Sequence, residues 1–167
     1  TGSVYTISYA MVFPLYLFLI LLVGEISLLM ITVIHVRYAA FAAARSAAVW
    51  ASAEPKYYPD VEPQLAARQA MIPIASGMDY HQTQATKLNP VGMLYANDVL
   101  TAYKKLGGNK IEYREKYLKA KVTYAMTWTF CDVEVTDQQV TAKVRYLAPL
   151  HFPFIGKILA GSRVPMT

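Results

Sequence analysis

The sequence predicts an α+β protein: a long N-terminal hydrophobic helix, then a small globular domain with helices and an antiparallel β-hairpin or sheet. Three observations carry that prediction. Residues 1–34 contain a single charged side chain, Glu25. A helix-start signal at Asn89-Pro90 opens an amphipathic stretch. From Lys121 onward the apolar residues alternate with period two, as they do along a half-buried strand. The chain divides accordingly into a transmembrane helix over 1–53, a proline-rich linker over 54–63 and an outer domain over 64–167.

A bilayer core is crossed by about 20 apolar residues. Val4–Ile34 is longer than that, about 46 Å at the helical rise per residue. Val36–Ala53 is alanine-rich, with Arg37, Arg45 and Ser46 among Phe41, Val49 and Trp50, so the helix is expected to continue. Glu54-Pro55 ends it, because the residue before a proline avoids the helical region. Pro14 removes one backbone hydrogen bond and is expected to kink or locally melt the helix, a deformation that neighbouring helices tolerate. Tyr5, Tyr9, Phe13 and Tyr16 share one helical face, which reads as packing in preference to an electron-conducting stack. The small residues Ala40, Ala44 and Ala47 permit close approach of another helix, while other faces of the same stretch take the globular domain.

Glu25 is the one acid in the first 53 residues, and a charge in mid-membrane costs several kcal/mol. Two readings follow. In one, Glu25 is uncharged or lies near a bilayer face, and the true span is Tyr5–Gly24. In the other it pairs with a group on another subunit and sets the register of assembly. Its candidate partners there are the Thr1 amine, His35, Arg37 and the hydroxyls of Thr6 and Ser8. The amine requires an axial offset of about 36 Å and Arg37 one of about 18 Å.

After the linker, with Pro55, Pro59 and Pro63 around Tyr57-Tyr58, Gln64–Ile72 is expected to form a short helix that Pro73 and Gly77 end. Met78–Leu88 reads as loop. The helix from Asn89-Pro90 places Val91, Leu94, Tyr95, Val99, Ala102, Tyr103 and Leu106 on one face, and Gly107-Gly108 stops it. Val122, Tyr124, Met126, Trp128 and Phe130 predict a strand, with a bulge at Cys131-Asp132 where the phase shifts to Val133 and Val135. A turn at Asp137-Gln138 leads to a return strand through Val140, Ala142, Val144 and Tyr146. The tail with Phe152, Phe154, Ile155, Ile158 and Leu159 is expected to pack on the domain or on a neighbour.

The net charge of +5 concentrates in one stretch, Lys104, Lys105, Lys110, Arg114, Lys116, Lys119 and Lys121, opposed by Glu112 and Glu115. Interleaved with Tyr103, Tyr113 and Tyr117, it reads either as an anionic-surface site or as a solvated face whose lysine stems cover apolar surface; nucleic acid is the less favoured partner. His35, His81 and His151 lie in separate segments, and the one cysteine, Cys131, has no ligand spacing beside it, so no metal or other cofactor is expected. One cysteine also excludes an intrachain disulfide. Neither a phosphate loop nor a nucleophile elbow is present, and no enzymatic activity is expected.

The segment Thr6-Ile-Ser-Tyr-Ala-Met-Val-Phe-Pro14, the Leu/Ile/Phe run, Val23-Gly-Glu25 and Tyr38-Ala-Ala-Phe-Ala-Ala-Ala-Arg-Ser-Ala47 together resemble TadE/TadG-like pilins of tight-adherence systems, relatives of type IV pilins. The pattern Val144-Arg-Tyr-Leu-Ala-Pro-Leu150 and Phe152-Pro-Phe-Ile-Gly156 is similar to the same family. The likeness covers both ends of the chain and leaves about 54–120 outside it. Where that family carries an acid at its fifth mature position, this chain has Tyr5, with Ser8 at the matching distance from the proline. The resemblance implies a structural subunit stored in the bacterial inner membrane. A prepilin peptidase and assembly machinery would then process it and build it, with copies of itself, into an extracellular filament. No basic residue precedes the apolar run, no A-x-A stands directly after its end at Ile34 and no Met begins the chain, so it reads as a processed or truncated chain with its mature start near Thr1. The alternative is a minor pilin or single-pass anchored protein whose outer domain binds a partner.

Overall fold

The computed structural model describes residues 2–53, 61–77, 97–102, 104–105, 115–136, 139–151 and 163–166, with backbone alone at 2–8, 53 and 163–166. Helix α1 is Gly2–Ala53, α2 is Val61–Met71 with a 3-10 turn at Ile72–Ile74, and α3 is Glu115–Trp128. Strands β1 (Thr129–Thr136), β2 (Gln139–Pro149) and β3 (Arg163–Met166) form an antiparallel sheet in the order β1-β2-β3. Residues 97–102 and 104–105 are also helical. The class is α+β, as the sequence predicts.

Helix α1 runs unbroken through Pro14, so the expected local melting does not occur. Helix α2 begins at Val61, three residues before the predicted start, and takes 61–63 from the linker. Pro63 fits the first turn because the amides there have no intrahelical acceptor to lose. Glu62 in that turn faces the positive end of the helix dipole. Pro73 lies in the 3-10 turn, which Ala75 N closes by donating to Ile72 O at 3.2 Å.

The predicted strand over 122–130 is corrected. Residues through Trp128 are helix, and the chain passes into β1 at Thr129 without a loop. Ala120 and Val122–Thr127 are buried almost all round the helix, so the apolar alternation there reports burial and not a pleat. The predicted bulge at Cys131-Asp132 is likewise absent: pairing runs without interruption from Thr129↔Tyr146 to Thr136↔Gln139. In that register Thr129 and Cys131 face inward and Phe130 outward. The return strand is as predicted, with Val144 and Tyr146 buried. Within 97–102, Leu100 is the buried residue and Ala102, placed on the apolar face from sequence, is exposed. The predicted linker over 54–60, the loop at 78–88, the cap at Asn89-Pro90, the Gly107-Gly108 stop, the turn at 137–138 and the tail at 152–162 lie outside the described residues.

The core joins α1, α2, α3, β1 and β2. Val36, Ala39 and Ala43 of α1 meet Ala67 and Met71 of α2, Tyr124 and Met126 of α3, and Val144, Tyr146 and Ala148 of β2. The distal half of α1 is therefore one wall of the globular domain. Spacings of three and four put its small residues on one stripe. Tyr124 sits at the centre: its hydroxyl donates to Leu147 O at 2.9 Å, and its ring meets Tyr146 edge-on at 6.1 Å between centroids. Arg68 Nε donates to Thr129 O at 3.4 Å and ties α2 to the start of β1. Lys121 Nζ donates to Pro73 O at 2.6 Å and lies 5.3 Å from the centre of the Tyr117 ring.

Candidate functional site

The candidate site is α1 itself, which changes character at Glu25. From Tyr9 to Leu17 every residue is exposed, and Phe18, Leu21, Leu22 and Gly24 are half-buried. Tyr9 is 68% and Tyr16 62% exposed, and Met11, Leu15, Leu19, Ile20 and Val23 are exposed as well. Tyr9 and Phe13 pack on each other along the helix, centroids 5.7 Å apart, as residues one turn apart do. The side chain of Tyr5 lies outside the described set. With Pro14, no amide hydrogen is available to the carbonyl one turn earlier. This is the one helix among the described residues long and apolar enough to cross a membrane.

At Glu25 the domain begins. The carboxylate is 1% exposed, and its Oε1 accepts the backbone N–H of His151 at 3.1 Å. The ring Nδ1 of His151 lies 4.0 Å from the same oxygen. The two residues are far apart in sequence, so this contact closes the end of β2 onto the helix. A buried carboxylate without donors costs several kcal/mol, and this contact supplies one. The sequence readings placed Glu25 either near a bilayer face or against another subunit. The structure gives it a partner within its own chain, at the first buried position of α1 among the described residues. Gly2–Gly24, the part below, is about 34 Å of helix, sufficient for a bilayer core of about 30 Å.

Beyond Glu25 the helix has two opposed faces. Glu25, Thr32, Val36, Ala39, Ala43 and Ala47 are buried against the domain. On the other side Ile26, Met30, Ile34, Tyr38 and Phe41 are exposed. The three predicted packing alanines separate accordingly. Ala47 is fully buried within the chain, so its small size serves the chain's own domain. Ala40 is half-buried against the core. Ala44 lines a groove of about 790 Å³ between α1 and the β1–β2 hairpin, with Phe41, Arg45 and Val140. A second groove, about 630 Å³, runs between α1 and α2 past His35, Tyr38 and Gln69.

The basic stretch is less available than its sequence implies. Lys104 Nζ pairs with Glu115 Oε1 at 2.7 Å, and Lys121 is committed to Pro73. Lys105 and Lys116 are exposed, Lys119 is half-buried, and Lys110 and Arg114 lie outside the described residues. Among the described residues no cluster of His, Cys, Asp or Glu is able to hold a metal ion. Burial pushes the Cys131 thiol up to about 11, with the neighbouring Asp132 charge adding and Arg68 opposing, so it is no nucleophile at neutral pH. Burial also raises the Tyr146 phenol, with Tyr124 as the lesser cause. Sequence reasoning singled out Glu25 but missed His151 as its partner; the only available signal was the turn-prone Pro149 before it. No family model, curated protein or solved structure matches the chain.

Proposed function

We propose that this chain is a pilin-like structural subunit, anchored by α1 in the bacterial inner membrane and then polymerised through α1 into an extracellular filament with copies of itself. One observation carries the proposal: the apolar surface of α1 is exposed on every side from Tyr9 to Leu17 and has no fully buried residue among those described before Glu25, while the domain covers only one face from there on. Such a surface requires cover from lipid or from other protein. Leaving the lipid exchanges lipid contacts for helix contacts, and many identical helices supply those at once. The resemblance to tight-adherence pilins points the same way. A prepilin peptidase and an assembly machinery are the partners this reading requires.

The contact between Glu25 and His151 favours a second reading, a minor subunit or single-pass anchored protein. A chain that satisfies its own buried acid needs no neighbour to do so. Electron microscopy of the sheared surface fraction separates the two. Abundant regular filaments containing this chain are expected from the first reading. A chain that stays wholly in the membrane fraction of cells that make it in quantity would contradict it.

A further inference from the structure

From Val23 on, the exposed face of α1 is too apolar for water, and its opposite face is already occupied. Val23, Ile26, Met30, Ile34, Tyr38 and Phe41 are all exposed, at 62%, 45%, 66%, 65%, 60% and 63%. At roughly 100° per residue they fall on one stripe, directly opposite the buried Glu25, Val36, Ala39 and Ala43. Together they expose roughly 700 Å² of apolar side chain, close to the ~800 Å² that one partner contributes to a stable interface and above the usual largest patch of a monomer. Lipid does not cover most of it on the reading above, because the domain that clasps Glu25 sits at the same height on the helix.

We infer that this stripe is the contact face of a parallel, in-register pair of copies formed in the membrane before any filament. The inference rests on the membrane-anchoring part of the proposed function. Copies anchored by the same Gly2–Gly24 segment in one bilayer stand parallel and at one level, so a two-fold axis along the membrane normal brings stripe against stripe. The flanks of the stripe are complementary under that axis. Arg37, exposed and without an ion pair among the described residues, lies on one flank, and Tyr38 lies on the other. The two-fold therefore sets each Arg37 guanidinium beside the Tyr38 ring of the other copy at nearly the same height, two cation–π contacts per pair. Large side chains at Met30, Ile34 and Phe41 fill the seam between them.

Cysteine cross-linking of the full chain in isolated membranes tests this. Met30→Cys and Ile34→Cys probe the stripe, Leu28→Cys probes an exposed position about a third of a turn away, and the parent chain with its buried Cys131 gives the background. Mild oxidation is expected to give a disulfide dimer from both stripe variants, with at least tenfold less from Leu28→Cys. Adding Tyr38→Ala to Ile34→Cys is expected to lower the dimer yield about tenfold, whereas Tyr38→Phe retains it. Equal yields at stripe and flank, or no dimer from a chain that stays in the carbonate-washed membrane pellet, would overturn the pairing alone. Release of the chain by carbonate would overturn the anchoring reading and the pairing with it.

Discussion

Ala43→Leu tests whether the outer half of α1 is built into the domain. Ala43 has no exposed surface and lies in the core between α1, α2 and β2. Leucine at this position adds three carbon atoms where helix and sheet meet at alanine distance. Helix propensity barely changes, because alanine and leucine are both strong formers. The cost is therefore overpacking, typically 1–3 kcal/mol, and about 2–3 kcal/mol is expected because backbone on both sides must shift. For a domain of this size that lowers Tm by roughly 10 °C. Ala48→Leu, at an exposed position of the same helix, is the control and is expected within about 0.5 kcal/mol of the parent. Thermal unfolding of the full chain in mild detergent, followed by tryptophan fluorescence, reads both. Equal stability of the two variants would refute the docking of α1 into the core.

Three further outcomes follow from the packing. Tyr146→Phe is expected to leave stability unchanged or raise it by about 1 kcal/mol, because the Tyr146 hydroxyl is buried with no hydrogen-bond partner among the described residues; a loss beyond 1 kcal/mol in denaturant melts would show that it has one. With the Cys131 thiol pushed up to about 11, the folded chain holds its proton while the unfolded chain ionises from about 9. The thiol's contribution is thus complete below that value and is lost as pH rises toward 11. The stability gap between the parent and Cys131→Ala should therefore narrow by on the order of 2 kcal/mol between pH 8 and pH 11, and a constant gap would contradict this. Gly77→Ala is expected to cost about 1 kcal/mol, since a Cβ there meets the Tyr117 ring and displaces it; additive costs in the double variant with Tyr117→Ala would argue against that contact.

Much of the fold is legible in the sequence because its signals are local. The uncharged run before Glu25 and the alanine-rich stretch after it specify α1, and the alternation from Val140 to Tyr146 specifies β2. The error at 121–128 has a physical cause. Val122, Thr123, Tyr124, Thr127 and Trp128 are β-formers by propensity, but tertiary contacts on nearly every side hold them in a helix. A segment buried all round has no polar face to reveal its period. The bulge predicted at Cys131-Asp132 has the same cause, because the phase shift there is counted from residues that are helical. At the candidate site, the loneliness of Glu25 is visible in sequence, but its partner depends on the path of β2 and lies beyond any pattern rule. Equally, sequence marks Ala40, Ala44 and Ala47 as small without saying which ones face the chain's own core.

Solvent accessibility along α1 in native membrane fragments, open on both faces, is the most direct measurement of the division at Glu25. Single cysteines at Leu19, Ile20, Leu28 and Ile31 are treated with a water-soluble maleimide, against the parent chain as background. All four positions are exposed on the free helix, so only surrounding lipid or protein distinguishes them. Leu19→Cys and Ile20→Cys are expected to stay unlabelled until detergent is added, and Leu28→Cys and Ile31→Cys to label at once. Protection that continues unchanged through Ile31→Cys, or labelling already complete at Leu19→Cys, would contradict a membrane-covered segment that ends where His151 meets Glu25.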